Sequence, residues 1–413
     1  MLKKLSYRGI GLGFLLTLLA LLAIFQSNIW RLYQAITLYD ADKISYNFLN
    51  MYKMFDVSKI DASTTAYYFP VDYQALPADF TLNDETIAIP DFLSQSATHG
   101  MMVIKEGEIV YEQYFLDDGP EKQHISFSVA KSFVSALFGI AIAEGHIQSI
   151  EQSVTDYVPE LVGSGYDGVR IKDVLQMSSG VKFDEDYADF NSDINRFSRA
   201  IAFGTSFDSF TASLQREREP GTYHHYVSID TQVLGMILVR ATGMSLSEYL
   251  SQKIWQPMGM QDPAYWMIDG NGMELALGGL NITLRDYAKF AWLYLHQGQW
   301  LNQRGQLMQI VPKQWVIDSV TPDAPHLMPG ENNPQSDSSY GYGYQWWIPL
   351  GADDEFMAQG IYGQFIYVDP SNDLVIVKNS ANSRYTDKSQ QWPAKHLAMF
   401  RAISQHFSQM NLP

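Results

Sequence analysis

Ser126-Phe127-Ser128-Val129-Ala130-Lys131-Ser132 opens a run, Phe133-Val134-Ser135-Ala136-Leu137-Phe138-Gly139-Ile140-Ala141-Ile142-Ala143, that carries no charge between Lys131 and Glu144. A helix that is apolar nearly all round reads as buried on every side rather than half exposed. Ser128 and Lys131, three residues apart at its entrance, share one face of the first turn. Free backbone N–H groups and the positive end of the helix dipole favour negative charge there. A Lys drawn partly out of water in such a place loses proton affinity and can act as base for a neighbouring hydroxyl. A capping Ser followed by a solvated Lys has the same four-residue pattern, so its meaning depends on the rest of the chain.

The 413 residues suffice for one large domain, or two modest ones, plus appendages, and an apolar share of 46% supports a substantial core. A formal charge of −17 argues against a phosphate-backbone partner, so no nucleic acid is expected. The absence of cysteine excludes disulfides and thiol catalysis and leaves the redox compartment open. No metal, phosphate-loop or dinucleotide fingerprint is present, and neither metal nor cofactor is expected. Gly-x-Ser-x-Gly is also missing, against a strand-to-helix nucleophile elbow.

Lys3, Lys4 and Arg8 precede an uncharged run from Gly9 to Trp30, closed by Arg31. About 20 apolar residues span a bilayer as helix, and the leading positive charges stay cytoplasmic. A cleaved signal peptide would need a small-x-small site that Phe25-Gln26-Ser27-Asn28-Ile29-Trp30 lacks. The expectation is a cytoplasmic tip and transmembrane signal-anchor at residues 1–31, with the catalytic domain held outside the inner membrane. Residues 32–94, punctuated by Pro70, Pro77 and Pro90, read as a stalk and extended lead-in without visible chemistry. Residues 95–410 read as the catalytic domain, with a mostly helical lobe at about 144–330.

That domain opens with a hairpin: Met101 to Lys105, a Glu106-Gly107-Glu108 turn, and Ile109 to Phe115. Asp230 can cap a helix ended by Gly243; Ser245 and Glu248 form a capping box; Thr283 and Asp286 open another helix that runs to Gly298. Strands return at Gly341 to Ile348, Phe356 to Ala358, Gln364 to Val368 and Leu374 to Asn379, and Trp392 to Phe407 closes as helix. Strands at both ends with helices between imply an α+β fold: one antiparallel sheet flanked by helices, a helical lobe, and a cleft between them.

Two further stretches carry candidate chemistry. In Pro220-Gly221-Thr222-Tyr223-His224-His225-Tyr226-Val227-Ser228 a Pro-Gly turn delivers Tyr226 and Ser228 to a helix entrance. A Tyr beside a Lys ammonium has a lowered pKa, which makes its phenolate accessible as a base; an amphipathic Tyr packing its ring would look the same. In Met357-Ala358-Gln359-Gly360-Ile361-Tyr362-Gly363-Gln364 a strand enters a Gly-rich bend, where backbone can approach a ligand and offer N–H donors to an oxyanion. An ordinary hairpin turn is the alternative.

In this order and at these separations the three stretches resemble the serine β-lactamase and penicillin-recognising family. The likeness is to its class C-like branch of esterases, D-aminopeptidases and nylon-oligomer hydrolases. It spans roughly residues 95–410 and includes Asp173-Val174-Leu175-Gln176-Met177-Ser178-Ser179-Gly180, Asp230-Thr231-Gln232-Val233-Leu234-Gly235, Gly278-Gly279-Leu280 and Tyr342-Gly343-Tyr344-Gln345-Trp346-Trp347. The resemblance implies a β-lactamase/transpeptidase-like fold with Ser128 as acylated nucleophile, Lys131 as its activating partner and Tyr226 as proton shuttle. The N–H of Ser128 and one from Gly360, Ile361 or Tyr362 would form the oxyanion hole, with Gln359 and Ser228 beside the substrate.

Two departures stand out. The second motif usually reads Tyr-x-Asn, and here position 228 is Ser. The third commonly reads Lys-Thr-Gly or His-x-Gly, whereas Ala358-Gln359-Gly360 offers no cation. The nylon-oligomer branch has a similar Gly-x-x-Gly-Gln ending and an additional active-site Tyr, for which Tyr187 is the candidate. The expectation is a membrane-anchored serine hydrolase acting on a small ester or amide, neutral rather than anionic. The alternative is a penicillin-sensor-like protein with little turnover. The sequence does not define an oligomeric state.

Overall fold

The computed structural model describes residues 30–203, 205–351 and 353–410. Strands from both ends of the domain meet in a seven-stranded antiparallel sheet. Its order is Gly341–Tyr342, Trp347–Ile348, Phe356–Gly360, Gln364–Asp369, Leu374–Ser380, Thr98–Lys105 and Glu108–Tyr114. The closure is the pairing of Leu374–Ser380 with Thr98–Lys105, which sets Val375 opposite Ile104 and Val377 opposite Met102. All eight residues of Thr98–Lys105 are buried, so the strand is covered on both faces.

The two-residue period decides what each face meets. Met102, Ile104, Ile366, Val368, Val375 and Val377 join one core with the helices Ala130–Ala143 and Leu284–Leu295. The alternate residues Met101, Val103, Phe365, Tyr367, Leu374 and Ile376 join another with Ile89–Gln95 and Trp392–Met410. Helix Ala130–Ala143 is buried continuously from Ala130 to Ala141, as its uncharged sequence requires. Gly139 is dictated by contact: a Cβ there would lie 2.3 Å from Trp315 Cγ. The α+β core expected from the sequence, one antiparallel sheet flanked by helices, is thus present.

The capping box of Ser245 and Glu248 and the Thr283 cap form as expected. Other elements differ. The stretch Gly341 to Ile348 is a tight hairpin rather than one strand, because Gln345 turns through a φ of 64° and Gly341 pairs back with Ile348. Asp230 does not cap its helix: Ser228–Thr242 starts two residues earlier, at a Val227 N-cap, and Asp230 is buried in the first turn.

The region expected as a stalk is packed into the domain. Ile44–Met54 is a helix whose Ile44, Phe48 and Met51, followed by Phe55, enter the main core at helical spacing. Val57–Ile60 pairs with Ala264–Met267 at the edge of a second sheet, which continues through Leu280–Ile282 to His124–Ile125. Asn47 fixes the preceding turn, donating to Leu38 O at 2.9 Å. Among the described residues no helix is long and apolar enough to cross a membrane. The expected span, residues 9–30, lies outside them except for Trp30.

Candidate active site

Strand His124–Ile125 delivers the chain into a single 3-10 turn, Phe127–Val129, that runs directly into helix Ala130–Ala143. Phe127 holds a φ of 43°, a left-handed conformation that is costly for a bulky residue and persists only where packing enforces it. Phe48 and Tyr362 supply that packing, with ring centroids 5.0 and 5.7 Å from Phe127. The pre-domain helix therefore bears on the turn that presents Ser128.

Lys131 lies under this turn, its Nζ 3.0 Å from Ser128 Oγ and 2.6 Å from the Leu277 carbonyl. It is buried, and loss of water brings its pKa from 10.5 down to about 7, although the charges of Glu185 and Asp230 pull upward. At neutral pH a large fraction is the free amine, which can take the Ser128 proton while still donating to Leu277. The ring of Tyr226 lies beside it, centroid 5.4 Å from Nζ. Tyr226 stacks on Trp347 at 5.1 Å, and its hydroxyl interacts with those of Ser128 and Ser228.

The Beta-lactamase family model matches residues 88–399. The chain belongs to the beta-lactamase family. It is 30% identical over 319 residues to the 6-aminohexanoate-dimer hydrolase of Paenarthrobacter ureafaciens, a match covering 74% of this chain and 80% of that one. A solved structure from Bacillus anthracis, provisionally named 6-aminohexanoate-dimer hydrolase, has a TM-score of 0.80 at 24% identity, covering 91% and 97% of the two chains. EstCE1, a hydrolase with promiscuous acyltransferase activity, has a TM-score of 0.57 at 13% identity over 76% of this chain and 96% of its own. These two structures show the common fold. The protein is a serine hydrolase of the beta-lactamase family.

In this beta-lactamase-family hydrolase the third stretch reaches the Ser128 turn through Gly360. A Cβ on Gly360 would lie 2.6 Å from Ser126 O, so only glycine lets Phe356–Gly360 run this close to the Ser128 turn. Ile361 and Ser128 then line one cavity. Gln359 Nε2 is buried and without a protein partner among the described residues, and Gln359 is not part of that cavity's wall. Tyr362 instead turns into the core, stacked on Tyr39 at 5.0 Å.

Ser228 is not aimed at the cleft. Its hydroxyl donates to Glu185, and its backbone N–H donates to the other Glu185 oxygen at 3.0 Å. Tyr187 shares that carboxylate at 2.8 Å and also lines the cavity with Ser128. Glu185 is thus a centre of the site that the sequence did not single out. Phe183-Asp184-Glu185-Asp186-Tyr187 reads as a solvated acidic run, and nothing local separates Glu185 from its neighbours.

The expected phenolate is corrected by the same surroundings. Burial, and then the Glu185 charge, push the Tyr226 pKa up rather than down, and a Lys131 that is itself partly neutral offers little opposing charge. Tyr226 is therefore held as a neutral phenol, and the partly neutral Lys131 beside Ser128 is able to accept a proton. Asp230 accepts from Tyr166 at 2.7 Å and Ser179 at 2.8 Å, and its burial raises its pKa to about 7. Lys378 is buried and donates to Ser380, while Arg384 sits over Trp392, 5.8 Å from its centroid. Among the described residues no three His, Asp or Glu side chains converge as a metal site requires.

Proposed function

We propose that the protein hydrolyses a neutral ester or amide through an acyl-enzyme on Ser128. The observation that carries this reading is the buried Lys131 Nζ, 3.0 Å from Ser128 Oγ and poised near neutral pH. Ser128 Oγ attacks the substrate carbonyl as its proton passes to Lys131. The oxyanion is held by N–H groups of Ser128 and of the Gly360 to Tyr362 segment. The carbon–heteroatom bond then breaks as the Tyr226 hydroxyl protonates the leaving group, Lys131 restoring that proton. Water attacks the acyl carbon by the reverse relay, releasing the acid and Ser128.

The 6-aminohexanoate-dimer hydrolase relative supports amide substrates, as does a third motif without a cation. We place the catalytic domain outside the inner membrane, anchored by residues 9–30, on the strength of Lys3, Lys4 and Arg8 ahead of a span-length apolar run. Recovery of an intact amino terminus in the membrane fraction, with the domain open to protease in spheroplasts, tests this placement. Fluorophosphonate labelling followed by peptide mass spectrometry tests the mechanism. The adduct is expected on the Ser128 peptide and lost in Ser128→Ala, and Tyr226→Phe should lower ester turnover by about 10²–10⁴. Wild-type labelling in Ser128→Ala refutes the nucleophile. Labelling without turnover of any ester or amide leaves a ligand-binding protein instead.

A further inference from the structure

A cavity of about 660 Å³ opens at Ser128, a size suited to a drug-sized ligand. Its walls are apolar: the helical segment after residue 30 supplies Leu32 and Ala35, the next helix Met51, the helix Asp193–Phe203 supplies Ile194 and Phe197, and Leu277 lies beside the nucleophile. Arg199 alone among the described lining residues is charged, and its guanidinium is turned onto Phe190, 2.6 Å from the carbonyl and 4.1 Å from the ring centroid. Ile36 and Phe190 line the same cavity and are each 69% exposed, so they mark its mouth.

The position of the cavity around the reacting bond decides which part of a substrate it holds. Ser128 and Ile361 belong to its wall; Tyr226, the donor to the leaving group, does not. The cavity therefore faces the acyl half. Trp30 and Tyr33 stack 5.5 Å apart on the segment that forms this wall and are largely exposed, an arrangement suited to a water–lipid boundary. Arg31 ties the segment to the domain through Asp56 at 2.5 Å. The same segment continues directly from the uncharged run at residues 9–30.

We infer that the acyl group accepted at Ser128 is a medium or long unbranched hydrocarbon chain, presented by an amphiphilic ester at a lipid surface and seated in this cavity. The inference rests on the hydrolase reading above and adds the substrate class. Each methylene buried should raise kcat/KM about fourfold until the cavity is filled. Hydrolysis removes the chain as its free acid and returns the alcohol, with water as the only co-reactant.

The test uses the full chain in phosphatidylcholine vesicles with p-nitrophenyl acetate, butyrate, hexanoate and octanoate, on wild type, Ile36→Asp, Phe190→Asp and Ser128→Ala. Partitioning into the vesicles is common to all four proteins, so differences between them report the cavity. The expected result is an octanoate-to-acetate ratio of kcat/KM that rises steeply in wild type and falls at least tenfold in both rim variants. Ser128 labelling rates with p-nitrophenyl methylphosphonate and octylphosphonate esters should show the same preference without any need for deacylation. Ser128-dependent acetate hydrolysis with a flat chain-length series overturns the acyl inference and leaves the hydrolase reading intact. A steep series unchanged by both rim variants also overturns it, because the selectivity would then lie outside this cavity. Failure of every ester to turn over and of both phosphonates to label Ser128 removes the hydrolase reading and this inference with it.

Discussion

Replacing Glu185 by Gln removes the larger of the two charge effects that raise the Lys131 pKa while keeping a group that can accept from Ser228 and Tyr187. In the wild type the competition is between burial, which lowers the Lys131 pKa, and the Glu185 and Asp230 charges, which raise it; burial wins and leaves a value of about 7. In the proposed mechanism the free amine is the active form, so kcat/KM should climb with pH, about tenfold between pH 6 and pH 8 for a single group titrating near 7. Taking away the Glu185 charge leaves burial less opposed, so the limb moves to lower pH and the variant gains on the wild type at its acidic end. The assay is kcat/KM for p-nitrophenyl butyrate from pH 5 to 9, with circular dichroism as the check on folding. An unmoved limb would show that Glu185 acts on Ser228 and Tyr187 alone. A limb displaced to higher pH would refute the electrostatic argument outright.

Lys131→Met should abolish turnover and raise stability, because an amine that titrates at 10.5 in the unfolded chain and about 7 in the folded one opposes folding. The unfolded chain binds more protons between pH 7 and 10.5, so wild-type stability climbs across that window as pH rises. The variant should lose that slope and be more stable by a few kcal/mol at or below pH 7, at about 1.4 kcal/mol per pKa unit, as read by urea denaturation. Gly360→Ala places a Cβ 2.6 Å from Ser126 O and should cost about 1–3 kcal/mol by overpacking. It should also cost about a hundredfold in kcat through displacement of the donors beyond it; near-normal kinetics would remove Gly360 from the site. For substrate charge, kcat/KM for a neutral nitrophenyl ester should exceed that for nitrocefin, and a strong preference for nitrocefin would overturn the reading of the third motif.

The fold was legible where one sequence period met one environment. The uncharged run after Lys131 and the unbroken apolar run Met101 to Ile104 each specify burial without reference to anything distant. Ile44, Phe48, Met51 and Phe55 carry the same kind of helical signal, but Tyr46, Asn47, Asn50 and Tyr52 between them and the prolines downstream hide it. The edge strand that follows, Val57–Ile60, finds its partner Ala264–Met267 some 200 residues on. Ser128 and Lys131 were legible because their relation is local, three residues on one turn. Glu185 was not, since its importance comes from Ser228 and Tyr226, more than 40 residues away, meeting it only in the folded chain. The fate of the Tyr226 proton is hidden in the sequence for the same reason: a nearby Lys lowers a phenol pKa only if the Lys is charged and the phenol hydrated, and the burial of both reverses the outcome.

That burial also explains why the cleft should discriminate against anions. Among the described residues the cations near the third motif and the cavity are already engaged, Lys378 with Ser380, Arg384 with Trp392 and Arg199 with Phe190. Lys131 remains, yet the desolvation that makes it a base has removed much of the charge with which it could hold a carboxylate. Glu185 adds a negative group one hydrogen bond from Ser228. An ionised substrate entering such a site would give up its water without gaining a charged partner, a loss of roughly 1.5–3 kcal/mol relative to a site that supplies one. A neutral carbonyl needs only the N–H donors at Ser128 and the Gly360 bend, and any apolar chain attached to it gains from the wall that Leu32, Ala35 and Met51 provide. The features proposed to tune the base and those proposed to select the substrate are therefore one arrangement: a largely apolar cavity that reaches Ser128 beside the buried Lys131.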